Sequence, residues 1–492
     1  MSFLFKDKPA GSTTLSESLG KKLYDVRRLD RETTGLFCLA ESNEEAQRLQ
    51  ALFDKGEVEI SFLFITDRKI QSPPPQNLST VFELIKETDG ASLWRAKPAS
   101  SANKSSQIRL DADKAGLAIL GDTANGGSAF PTLCLHCYEI AFEIDDQAFK
   151  ETAPAPYWFD NLELVRDPLL SRWLTAVDRR ERWLRSTGQS AETLRWIHTE
   201  GDPLRVEQLG EVLALSWFKD RAPNEREQAS IDRLIEILKE KTGAKRWYFQ
   251  IRGNRGRTPN EEPLKFSPGE FPPRWEAKEN LLMYGFRVDS GLSAGLFLDQ
   301  RRNRLWVREQ APGQTVLNLF SYTGGFSVSA ASGGAAKTVS VDVSKTFLEW
   351  TKENFTRNDL TQEGHEFRAM DSREYLAWAK KKGLRFDLII CDPPSFSRAS
   401  GKSGLFRIEH DFVSLLNSLI DVTQPGGQIL FSSNYEAWTL EQFELEAKKT
   451  LQTRKAKLVA HLAPTPPPDW DFELPLEPHN MKSFLVKISE IK

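Results

Sequence analysis

Val316-Leu-Asn-Leu-Phe320, Ser321-Tyr-Thr-Gly-Gly325 and Ser340-Val-Asp342 carry the main signal for how this chain folds. An apolar run of strand length stops at a small, glycine-containing turn. An alanine-rich helical pattern, Phe326 to Ala331, follows, and a second strand, Thr338 to Val341, ends on a lone carboxylate. This is the opening β-α-β of an open parallel sheet, in which the turn after the first strand receives a ligand. The glycines let the backbone approach that ligand closely, and an acid after the second strand can bind ribose hydroxyls. Taken alone, the glycine turn is equally the corner of an ordinary helix and sheet.

Further along, the pattern continues as a parallel sheet. A helix over Thr346 to Asn354 precedes a strand ending at Met370-Asp371-Ser372, and the apolar strand Leu384 to Cys391 ends at Asp392-Pro-Pro-Ser-Phe-Ser397. A carboxylate at a strand's carboxyl end, stiffened by two prolines, faces the crevice where such sheets bind ligands. A helix over Phe406 to Val422, the turn Pro425-Gly-Gly427, the strand Gln428 to Asn434, a proline-rich hairpin (Pro464 to Pro468) and the strand Ser483 to Ile488 complete it. Just upstream, Asp299 and Arg301 form a pair suited to clamping the carboxylate and amine of an amino-acid-like ligand, or else a surface ion pair. A Gly-x-Gly-x-x-Gly fingerprint is missing, which counts against a nicotinamide dinucleotide.

Asn318 to Gly324, Asp342, Asp371 and Asp392-Pro-Pro together resemble the S-adenosylmethionine site of class I methyltransferases. The resemblance implies that Asn318, Phe320, Ser321, Thr323, Gly324, Asp342, Asp371 and Asp392 bind that cofactor, with Asp299 and Arg301 at its amino-acid end. More narrowly, residues from about 196 onward resemble bacterial large-subunit (23S) rRNA methyltransferases, of which two sister families compete: RlmI-like 5-methylcytosine enzymes and the RlmK-like 7-methylguanine half of RlmKL. Gly295-Leu-Phe-Leu-Asp299, Leu317-Asn-Leu-Phe-Ser-Tyr-Thr-Gly324, Asp392-Pro-Pro-Ser-Phe-Ser397, Phe431-Ser-Ser-Asn434 and His479-Asn480 sit closer to the second. Chemistry agrees. Carbon 5 of cytosine needs a thiolate added at carbon 6, and no cysteine lies near Phe431-Ser-Ser-Asn434. Cys391 points away from Asp392 along the strand and reads as core. Guanine N7 carries its own lone pair and needs only positioning. Asp392, Pro393 and Ser395 are the candidates to orient the base, and Arg398 to Gly404 is expected to admit a flipped nucleotide.

The front of the chain carries a second resemblance. Phe5-Lys-Asp-Lys-Pro-Ala-Gly11, Arg28-Leu-Asp30 followed by Thr33, Gly35 and Leu36, Gln107-Ile-Arg109 and Gly121-Asp122 match the RluA-type pseudouridine synthases in order. By resemblance Asp30 is the nucleophilic carboxylate and Arg109 its charge partner. The departures are Arg27, Phe62 and Ser106, standing where that family has histidine, tyrosine and histidine, and Asp111 at another basic or aromatic position. A phenylalanine ring can still stack on a base.

Between these parts, Ala153-Pro-Ala-Pro156 is a stiff connector. Leu169, Leu170, Trp173, Leu174 and Val177 recur at helical spacing, with Arg179, Arg180 and Arg182 expected on a solvated face. Gly243 to Asn260 interleaves Lys245, Arg246, Arg252, Arg255 and Arg257 with Trp247, Tyr248 and Phe249, the composition of an RNA surface.

At 492 residues the chain is too long for one core. The expected division is 1–150, pseudouridine synthase-like; 151–195, helical linker; 196–290, a small α+β RNA-binding domain; and 291–492, an α/β Rossmann-like methyltransferase sheet. A net charge of −3 excludes wholesale nucleic-acid binding, so ribosomal RNA must be met by local patches. No signal peptide or bilayer-length apolar run is apparent, which suits a soluble, cytoplasmic protein. Cys134-Leu-His-Cys137 is half of a zinc pattern with no second pair, so no metal is expected and both cysteines read as strand residues. Two alternatives keep the motifs but change the outcome: a 5-methylcytosine enzyme, and a non-catalytic ribosome-assembly factor.

Overall fold

The strands on either side of Asp342 lie together in a seven-stranded sheet in the computed structural model, which describes residues 3–7, 22–27, 29–30, 32–69, 74–75, 77–100, 105–187, 192–198, 202–252, 264–288, 293–398, 404–435, 437–452, 456–460 and 481–488. The strands are β1 (Thr315–Leu319), β2 (Lys337–Asp342), β3 (Glu366–Ala369), β4 (Phe386–Cys391), β5 (Thr423–Ser433), β6 (Ala456–Ala460) and β7 (Lys482–Ile488). Their order is β3-β2-β1-β4-β5-β7-β6, with β7 antiparallel to both neighbours. The antiparallel end expected from the sequence is therefore present.

Helices α1 (Arg301–Gln310), α2 (Gly325–Ser332), α3 (Lys345–Arg357), α4 (Ser372–Lys382), α5 (Ile408–Val422) and α6 (Leu440–Gln452) accompany the sheet. Central strands covered on both faces read as unbroken apolar runs, which is why β1 and β4 show no alternation. Asn318, polar and buried within β1, is satisfied internally, its Nδ2 donating to Ser327 Oγ at 2.9 Å. Phe406 does not begin α5 as expected. It is the buried middle residue of Leu405–Arg407, which pairs with Phe396–Arg398 in a two-stranded ribbon, and the helix starts at Ile408.

Upstream, a hairpin of Arg274–Glu279 and Leu282–Arg287 packs Trp275, Tyr284 and Phe286 against Val328 of α2 and Phe355 of α3. A five-stranded sheet, Thr193–Ile197 to Lys265–Phe266, carries the helix Glu225–Thr242, started by an Asn224/Glu227 capping box. Two expectations change here. Tyr248 and Phe249 are core residues, and Lys245 and Arg246 both pair with Glu211, so much of the RNA-like composition is used internally. The helix Pro168–Thr187 has no broad basic face: Arg180 and Arg182 are buried, and Arg182 Nε donates to Asp178 at 2.8 Å. The helix lies inside a core shared by the N-terminal sheet and the five-stranded sheet, so guanidiniums were drawn inward with partners. Arg255, Arg257, Arg28, the Pro464 to Pro468 hairpin, His479-Asn480, and residues 8–11 and 399–403 lie outside the described residues.

The N-terminal part forms an eight-stranded mixed sheet. Cys38, Cys134 and Cys137 are buried in it. Among the described residues, no three His, Cys, Asp or Glu side chains gather as metal ligands, and no helix is long and apolar enough to cross a membrane.

Candidate active site

The carboxyl ends of the parallel strands β1, β2, β3, β4 and β5 lie side by side along the edge where such sheets open a ligand crevice, and each ends in or is followed by a residue singled out by the sequence. After β1 the chain turns through Phe320 and Tyr322, both non-glycine residues at positive φ, +54° and +50°. Such backbone costs about 1–3 kcal/mol per residue and persists where surroundings over-determine it. Asp342 supplies that determination. Its Oδ2 accepts from Tyr322 N and its Oδ1 from Ser344 N, each at 2.9 Å. Gly324, at φ +76°, admits no side chain, because a Cβ there would lie 2.1 Å from Thr351 Cγ2.

Asp371 is the N-cap of α4, its Oδ1 accepting from Arg373 N at 2.8 Å and Glu374 N at 3.3 Å. Between these acids, Val343 and Met370 are apolar yet 57% and 37% exposed, on adjacent strand ends tied by Met370 N donating to Asp342 O. They form an apolar lip suited to a planar ring, legible in the sequence only as an apolar neighbour of each acid. Burial pushes the Asp342 carboxyl above the usual carboxylate range.

Asp392 stands at the end of β4 with its carboxyl pushed up to about 7, first by burial and then by the neighbouring Asp299. The Gln300 side chain and the Arg304 guanidinium oppose the shift. Asp299 is likewise raised by burial, opposed by Arg195 and Arg304. The expected Asp299–Arg301 clamp is not formed. Arg301 turns the other way, 3.6 Å from Glu279 and donating to Thr193 O, because Glu279 is the buried acid that also holds Arg304 bidentately at 2.6 and 2.7 Å. Pro393 is buried, Ser395 Oγ donates to Asn434 Oδ1 at 2.9 Å, and the Phe396 ring is 50% exposed. Thr323 donates its hydroxyl to Gly295 O, fastening the turn to the segment that carries Asp299.

Buried polar atoms here without a hydrogen-bond partner among the described residues include Ser321 Oγ and Asp299 Oδ1. Such atoms are costly unless a ligand meets them, and a hydroxyl and a carboxylate at a crevice suit an amino-acid carboxylate and ammonium. The donor set therefore fits S-adenosylmethionine.

In the N-terminal module, Arg109 lies 3.7 Å from Asp30 and forms a bidentate pair with buried Asp122 at 2.7 and 2.6 Å. Asp30 and Arg109 are thus brought together as expected. Phe62 is not placed for stacking: it is 1% exposed. Beside it, Leu29, Cys38 and Cys137 line a cavity of about 10 Å³. That is room for one water. Asp111 is engaged by Ser79, Thr80 and Gln107 rather than facing a ligand.

Residues 7–129 match the family model described as RNA pseudouridylate synthase. Among curated relatives, a Neisseria meningitidis protein named ribosomal RNA large subunit methyltransferase K is 41% identical over 168 residues, 34% of this chain and 48% of that one. A Shewanella pealeana ribosomal RNA large subunit methyltransferase K/L is 43% identical over 157 residues, 32% of this chain and 22% of that one. The chain spans less than half the length of either relative. A solved Streptococcus mutans structure described as a SAM-dependent methyltransferase shares the fold, with TM-score 0.55 and 23% identity over 71% of this chain and 88% of that one. Residues 195–473, more than half of the chain, match the family model for S-adenosylmethionine-dependent methyltransferases, and with the strand order and crevice above this makes the protein a member of that family.

Proposed function

We propose that this protein methylates guanine N7 in large-subunit ribosomal RNA. The observation that carries the choice of base is the lack of an available thiol. All four cysteines are buried, and Cys391 lies in the core with its pKa raised well above that of an ordinary thiol. Carbon 5 of cytosine is unreactive without such a nucleophile, whereas guanine N7 attacks through its own lone pair and releases no proton. The RNA class rests on the relatives, which are named for large-subunit ribosomal RNA.

S-adenosylmethionine supplies an electrophilic methyl group on a sulfonium. In this reading Asn318, Phe320, Ser321, Thr323 and Gly324 shape its turn, Asp342 and Asp371 face its ribose and adenine, and Asp299 meets its ammonium. Arg301 drops out of the clamp, since its guanidinium is turned to Glu279. Asp392 and Ser395 orient the base, Pro393 holds Asp392 at the strand end, and Phe396 offers an exposed ring for stacking. The chemistry asked of these groups is positioning.

A second reading adds isomerisation by the N-terminal module, favoured by the Asp30–Arg109–Asp122 arrangement. The buried Phe62, standing where a tyrosine is expected, favours a module that grips RNA without turnover. Mass-spectrometric mapping of ribosomal RNA from cells with and without the protein tests both. Loss of a 7-methylguanosine supports the leading reading, and loss of a pseudouridine as well supports the second. A covalent protein–cytosine adduct would refute the choice of guanine.

A further inference from the structure

We propose that Asn434 determines base specificity by reading the carbonyl edge of the target guanine, with Ser395 fixing which way its amide faces. The inference rests on the guanine reading above. Asn434 is exposed just past β5, the strand beside β4 and Asp392. Ser395 Oγ donates to its Oδ1 at 2.9 Å across 39 positions of chain. That bond occupies the amide oxygen and leaves Nδ2, a pure donor, as the end available to a ligand.

Tyr435, the residue that follows Asn434, is held by three hydrogen bonds. Tyr435 N donates to Ser433 Oγ at 3.1 Å, Lys482 Nζ donates to Tyr435 O at 2.9 Å, and the Tyr435 hydroxyl donates to Glu409. A donor that must find one atom of a base gains affinity from being ordered beforehand. Guanine presents an O6 acceptor beside N7, whereas adenine presents an amino donor at that place. An Nδ2 donor meets the first and opposes the second. It also leaves N7 free, because the contact falls on the neighbouring oxygen.

The test uses the full chain, S-adenosylmethionine and a synthetic RNA fragment spanning the methylated guanosine. The target base is guanine, hypoxanthine, which keeps O6, or 2,6-diaminopurine, which replaces it with an amino group. The unaltered protein should methylate the first two at similar rates and the third roughly tenfold or more slowly. Asn434→Ala should lower kcat/KM on guanine by roughly tenfold to a hundredfold and lose the discrimination, with calorimetric affinity for S-adenosylmethionine unchanged. Asn434→Asp should shift preference toward diaminopurine. Discrimination retained in Asn434→Ala would overturn the assignment while leaving guanine as the substrate, and so would a matching loss of S-adenosylmethionine affinity, which marks a structural role. Transfer to a pyrimidine instead would overturn both readings.

Discussion

Asp392 concentrates much of the site's physics in one side chain. A carboxyl taken out of water beside another acid prefers its proton, and here the balance point is about 7. If the ionised carboxylate accepts from the guanine edge, kcat/KM should rise with pH through about 7, and Asp392→Asn should be nearly inactive with a flat profile. The stability sign follows from the same shift. A folded pKa above the unfolded value means stability is lost as pH rises through about 7. Asp392→Asn should therefore melt later than the unaltered protein at roughly one unit above that point, and a lower melting temperature there would contradict the buried carboxyl. Asp371 and Asp342 both face the cofactor in this reading but also hold different parts of the fold, one the start of α4 and the other the turn after β1. Asp371→Ala removes a helix cap and should cost about 1 kcal/mol in urea unfolding. Asp342→Ala frees a strained turn and should abolish measurable S-adenosylmethionine binding by calorimetry.

Among the secondary-structure elements, the hairpin Arg274–Arg287 decides where α1 sits. Glu279, at the end of its first strand, is buried and shared by Arg304 and Arg301 of that helix. Removing one partner from a buried ion pair leaves an uncompensated charge, typically at a cost of about 3–5 kcal/mol. Glu279→Ala should lose that much in equilibrium unfolding and weaken cofactor binding, because Asp299 lies just ahead of α1. Glu279→Gln, which keeps the shape, should lose less. The local signals for the elements themselves were strong: Ser344 and Asp371 cap the helices they precede. The later start of α5 has a local cause, since Leu405-Phe-Arg407 suits a ribbon as well as a first helical turn.

For the molecule as a whole, the helix Pro168–Thr187 joins the N-terminal sheet to the five-stranded sheet in a common core. Trp173, fully buried there, should cost about 3–5 kcal/mol when cut to alanine. Because the core around it is common to both sheets, hydrogen exchange should speed up in strands of each, Thr34–Ala40 and Val212–Trp217 alike. Protection lost on one side alone would show that the two units fold separately.

Reading the chain was enough to find the sheet, its crevice and the acids at the strand ends, because apolar runs, glycine turns and helix caps are local and each leaves its mark within a few residues. The partners of individual side chains came from long-range packing. Arg301 goes to Glu279 rather than Asp299, Arg180 and Arg182 go inward, Phe62 is buried, and Ser395 meets Asn434. Each outcome depends on which distant element arrives alongside, and charge or aromaticity in the chain does not encode that arrival.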